Sequence, residues 1–101
     1  MAATGMVITF TTSADTADAF AAVLERALPL VEREPGTLVW MAGRSMDDPT
    51  VFHLVDVFGD AGALNAHMGG EAAALILGEG ASLLVAPPAI SAISILATKG
   101  G

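Results

Sequence analysis

The sequence predicts an α+β domain whose elements run β-α-β-β-α-β. Three observations carry that prediction. Four short segments are rich in β-branched and apolar residues, and two segments between them repeat apolar residues at helical spacing. The two middle strands are joined by only Met46-Asp47-Asp48-Pro49, a polar connection that closes an antiparallel hairpin. At 101 residues the chain is long enough for one domain, spanning 1–101, with no linker or internal repeat.

Residues 5–12 (Gly-Met-Val-Ile-Thr-Phe-Thr-Thr) read as the first strand. Ser13 or Asp15 can cap the next helix, since each carries an oxygen able to accept a free first-turn N–H. From Asp15 to about Glu34, Phe20, Leu24, Leu28 or Ala27, and Val31 recur on one side of a helix. Asp18, Glu25, Arg26, Glu32 and Arg33 take the other side. Pro29 lacks the N–H that would reach Glu25, so a kink or split is expected there, and Pro35-Gly36 ends the helix. Residues 37–45 and 50–58 are the hairpin strands. Asp60 can cap a second helix that carries Leu64, His67 and Met68 on one face. Gly69-Gly70 breaks that helix, the apolar run Glu71–Leu77 restarts it to about residue 78, and residues 80–86 suit another helical turn before Pro87-Pro88. Residues 89–98 are the last strand.

This order is the split βαβ arrangement of the ferredoxin-like fold, an antiparallel sheet of order 4-1-3-2 with both helices on one face. The other face is bare, and nearly every strand residue is apolar on both sides. Composition points the same way: 53% of the residues are apolar, more than so short a chain can bury by itself. Both lines predict a homodimer packed sheet to sheet.

Eleven acidic residues against four basic ones give a net charge of −7. A surface so poor in cations disfavours nucleic acid and anionic membranes as partners. Residues 72–98 contain Glu79 as their single charged residue. Gly78, Gly80 and Pro87-Pro88 interrupt them, so no run reaches the ~20 residues of a membrane-spanning helix. The first twelve residues lack the basic start and long apolar core of a signal peptide. With no cysteine either, a cytoplasmic protein is expected.

Absence of cysteine removes thiolate nucleophiles and zinc–thiolate sites, and no Gly-x-Ser-x-Gly elbow or phosphate-binding glycine loop is present. The spacing of the two histidines suggests no metal site. Two residues stand out. Asp56 lies in Leu-Val-Asp-Val-Phe, a strand placed at the sheet centre. There it is either paired, most easily with Arg44 on the neighbouring strand, or it faces a pocket where burial makes it a general base. His67 sits on the helix stripe facing the sheet, either as a core histidine bonded to a carbonyl or as a ligand or proton-transfer group. If Ser45 pairs with Thr50, Trp40 stands opposite Val55, and Trp40 and Asp56 occupy opposite faces; a slip of one residue reverses this. In that register His53 shares the Trp40 face, while Phe52, Leu54 and Phe58 line the Asp56 face. Trp40 then packs the core or interface, or walls a flat ligand.

Several local patterns resemble the antibiotic biosynthesis monooxygenase-like domains. They are Glu34-Pro35-Gly36-Thr37-Leu38, Asp47-Asp48-Pro49-Thr50, Phe52-His53-Leu54-Val55-Asp56-Val57-Phe58-Gly59-Asp60 and Ala63-Leu64-Asn65-Ala66-His67, and the likeness runs over residues 5–98. The resemblance implies a dimeric α/β barrel with a pocket between sheet and helices in each subunit. It also implies oxidation of a small apolar or aromatic molecule by O₂ with no cofactor, neither metal nor flavin. By position, Asp56 matches the acidic residue of the third strand and His67 the helix histidine, the catalytic pair. Phe58 matches the strand-end aromatic, and Phe52, Leu54, Trp40 and Asn65 complete the expected substrate-binding set. The first strand has no Asn and residues 73–77 no His, which sets the haem-degrading branch aside, and the chain has no Tyr. A non-catalytic binding or accessory protein, and a lyase or isomerase using the same pair, are the alternative readings.

Overall fold

The computed structural model describes residues 3–100. Their elements are β1 (Thr4–Thr11), α1 (Ala17–Val31), β2 (Thr37–Arg44), β3 (Val51–Phe58), α2 (Ala61–Met68), α3 (Glu71–Leu75) and β4 (Ala89–Ser94). The four strands form one antiparallel sheet in the order β2-β3-β1-β4, the ferredoxin-like topology. α3 runs on into a π-helical turn, Ile76–Gly80, and a 3₁₀ turn, Ala81–Leu83.

Alternation along the strands decides which side is core. Met6, Ile8 and Phe10 of β1 and Phe52, Leu54, Asp56 and Phe58 of β3 are buried beneath the helices. Phe20 of α1 packs between Phe10 and Phe52, with ring centroids 4.9 and 5.1 Å away. The opposite face carries Val7, Val39, Met41 and Val55, none of them buried. β4 forms one edge and is exposed on most of both sides.

Some boundaries differ from the sequence reading. α1 begins after Thr16, not at Ser13 or Asp15; Thr16 makes no side-chain cap, and its hydroxyl instead donates to Leu83 O (2.7 Å) and accepts from Ser13 N (3.3 Å). The helix is continuous through Pro29 to Val31: Pro29 stands in the last turn and removes only the one bond to the Glu25 carbonyl, so no split results. Asp60 does cap α2, accepting from Ala63 N at 2.8 Å. β4 stops at Ser94, four residues short of the expected end.

The hairpin register is the consequential correction. Ser45 N donates to Val51 O, so the loop spans residues 46–50. Thr50 is held inside it by bonds from its N and Oγ1 to Asp48 Oδ1, at 3.0 and 2.7 Å. From Val39 to Arg44 the pairs shift by one, with Trp40 opposite Asp56 and Met41 opposite Val55; an irregularity between Thr37 and Val39 returns Thr37 to Phe58. Trp40 and Asp56 therefore share the helix-covered face. His53 shares the open face with Val51 and Val55, not with Trp40, and its Nδ1 lies 3.2 Å from Thr9 Oγ1.

Candidate functional site

Across the middle of the covered face runs the row Trp40, Asp56, Met6, Ala92, one residue from each strand. Asp56 is 0% exposed. The ion pair with Arg44 does not form, because Arg44 binds Asp18 (2.9 Å) and the Pro49 carbonyl (2.6 Å) at the far end of the hairpin. Arg26 and Arg33 are likewise engaged, with Glu79 and Glu71. Neither Asp56 oxygen has a hydrogen-bond partner among the described residues. Burial accordingly pushes its carboxyl up from 3.8 to about 6; positive charge on the nearby His67 ring and the Met6 backbone N–H oppose the rise, and the charge of Glu34 adds to it.

His67 reaches this carboxylate from α2. Its Nε2 lies 3.5 Å from Asp56 Oδ2, and its ring stacks at a tilt on Phe58, 5.0 Å between centroids. On the other side the His67 Nδ1–H donates to Glu34 Oε1 at 2.5 Å. The Thr37 hydroxyl donates to the same oxygen at 2.8 Å. Glu34 closes the turn after α1, where Glu34 N bonds to Val31 O. That turn docks directly on α2: a Cβ on Gly36 would stand 2.5 Å from the Ala63 Cβ, so only glycine allows this approach. Sequence reasoning read Glu34-Pro35-Gly36 as a helix stop and missed Glu34 as a site residue. No local pattern around Glu34 signals that partner, since the contact joins residues 33 apart.

A cavity of about 30 Å³, room for about one water molecule, opens beside the pair. Asp56 and His67 supply its polar corner, and Met6, Ile8, Leu54, Ala73 and Ile76 are among its apolar walls. Met68, Leu77 and Ile90 rim it and are 40, 45 and 52% exposed. The structure thus brings Asp56, His67 and Leu54 to one cavity. Phe58 stands behind the imidazole. Phe52 lies outside, buried against Phe20 beneath the Arg44 guanidinium. Trp40 is partly buried beside Asp56, its Nε1 without a hydrogen-bond partner, and Asn65 is exposed on α2. No cluster of three or more His, Asp or Glu able to hold a metal occurs among the described residues, and no described helix is long and apolar enough to cross a membrane.

Chemically, a buried carboxylate next to an imidazole nitrogen can accept one proton from a group seated in the cavity and give it back.

The fold recurs in known proteins. A protein of unknown function from Nitrosomonas europaea is 32% identical, with a TM-score of 0.89 over 98% of this chain and 94% of its own. A candidate antibiotic biosynthesis monooxygenase from the same organism is 20% identical (TM-score 0.88, 97% and 94% covered). A Mycobacterium tuberculosis protein is also 20% identical (TM-score 0.86, 95% and 97% covered). Comparison with curated proteins yields no match. The sequence profile of the antibiotic biosynthesis monooxygenases matches residues 4–75, from β1 through α3 and across the whole Glu34–His67–Asp56 cluster, and the chain belongs to that family.

Proposed function

We propose that the protein is a cofactor-independent monooxygenase that oxidises a small electron-rich aromatic, of quinol or anthrone type, with O₂. The observation that carries this reading is Asp56: a fully buried carboxylate without a cation, 3.5 Å from an imidazole nitrogen, in the corner of an apolar cavity. For an anthrone-type CH₂, the pair removes a proton and leaves a delocalised carbanion. That anion gives one electron to O₂, the two radicals combine into a C–O bond, and the pair returns its proton to the peroxide. Loss of the remaining C–H proton and of hydroxide yields the ketone and water, so CH₂ and O₂ become C=O and H₂O. All electrons come from the substrate. The protein excludes water, orients the ring and moves the proton. A ring-sized substrate gains access by displacing Met68, Leu77 and Ile90.

The test is oxygen uptake by chelator-treated protein with a panel of hydroquinones and anthrones. Protein-dependent uptake that survives chelation is the expected result. The narrow cavity favours one other reading, a binding module without turnover. That reading predicts saturable binding of the same compounds with uptake no faster than in buffer.

The open face with Val7, Val39, Met41 and Val55 supports a second part of the proposal, a homodimer packed through the sheets. Sedimentation at micromolar concentration is expected to give twice the chain mass of 10.2 kDa; a monomer at that concentration removes this part.

A further inference from the structure

We infer that Glu34 is the positioning residue of the site, fixing His67 in the tautomer that turns a bare Nε2 toward Asp56 and balancing the charge when the imidazole takes a proton. The inference rests on the proposed acid–base role of the Asp56–His67 pair but goes beyond it, to a residue outside the cavity.

A carboxylate can only accept, so the hydrogen on the 2.5 Å bond to Glu34 Oε1 belongs to His67 Nδ1. In the neutral form of the ring this contact selects the tautomer with hydrogen on Nδ1, which leaves Nε2 as a lone pair facing Asp56 Oδ2. Two acceptors face each other there. They stand 3.5 Å apart, and the Asp56 oxygens have no partner among the described residues. The gap is the seat of one proton: once the pair has taken it from substrate, it lies between Nε2 and Oδ2, and Glu34 stabilises the imidazolium form.

Three separate elements converge to hold Glu34 for this task. Thr37 of β2 donates to Oε1. The turn after α1 supplies the backbone. At the break between α2 and α3, a Cβ on Gly70 would come 3.2 Å from Glu34 Oε2 and 3.3 Å from the His67 carbonyl, so glycine makes room for the second carboxylate oxygen. Glu34 is only partly exposed, its side chain at 18%. The charged groups around the imidazole are therefore Glu34 at Nδ1 and Asp56 at Nε2.

Glu34→Gln is the test, since it keeps the acceptor oxygen and shape while removing the charge; Thr37→Val loosens the same carboxylate more gently. Two readouts are needed. Nitrogen-15 NMR of the His67 ring is expected to show hydrogen on Nδ1 in the native chain and a mixture with the Nε2–H form in Glu34→Gln. Oxygen uptake is expected to fall about tenfold to a hundredfold in kcat with KM little changed. The acid limb of its pH profile is expected to move down, because the charge of Glu34 helps hold the Asp56 proton. An unaltered tautomer with an unmoved limb overturns the inference. If no quinol or anthrone is turned over, the monooxygenase reading fails, while the NMR arm still decides the role of Glu34: a single Nδ1–H tautomer in both proteins refutes it.

Discussion

Asp56→Asn is expected to melt on the order of 10 °C above the native chain near pH 8, although it removes a charged residue at the centre of the sheet. Asn matches the shape of Asp, leaves no hole, and its amide can donate to His67 Nε2 across the 3.5 Å gap. The sign follows from the raised carboxyl. Below about pH 4 the folded and unfolded chains both hold the Asp56 proton, and burial carries no charge penalty. Between 3.8 and about 6 the unfolded chain ionises first, so folding must take up a proton and native stability falls. Above about pH 6 the full difference is present, about 3 kcal/mol at about 1.4 kcal/mol per pH unit. Melting curves across this range are therefore expected to coincide in acid and separate as pH rises. A constant offset at every pH contradicts a desolvated Asp56.

The same substitution is expected to slow oxygen uptake roughly 10²- to 10⁴-fold, and His67→Ala by a similar factor, the usual worth of a positioned general base. In the native protein kcat/KM is expected to rise with pH through about 6 as Asp56 loses its proton, with that limb absent in Asp56→Asn. The double variant is expected to be little slower than either single one, because the two groups share one proton. Full activity in both single variants would remove the acid–base mechanism altogether. Together the two results state a trade: the carboxylate that destabilises the fold at working pH is the group that performs the chemistry.

Much of this was legible in the sequence because it is local. Runs of β-branched and apolar residues gave β1 and β3, and helical spacing gave α1. Asp60, a cap with an obvious acceptor, marked the start of α2. Asp56 stood out as a carboxylate in a run of apolar strand residues. The features that escaped depend on non-local contacts or on one atom in a loop. The hairpin register turned on Asp48 holding Thr50 within the loop, which moved Trp40 to the face of Asp56. Glu34 meets a histidine 33 residues away, and nothing beside it in the chain announces that partner. The cavity's narrowness depends on how closely Ala73 and Ile76 approach the sheet, and α3 passing into a π-helical turn there is not written in its periodicity.

The shifted register also gives the molecule an optical property. Trp40 is the only tryptophan, and the chain has no tyrosine to share its ultraviolet emission. Its indole stands directly across the strand pair from Asp56, with a buried N–H and little water to screen it. The electric field of the carboxylate is therefore imposed on a single fluorophore. Protonation of Asp56, or arrival of a flat ring in the cavity beside it, is written into the colour and brightness of that one residue without any label.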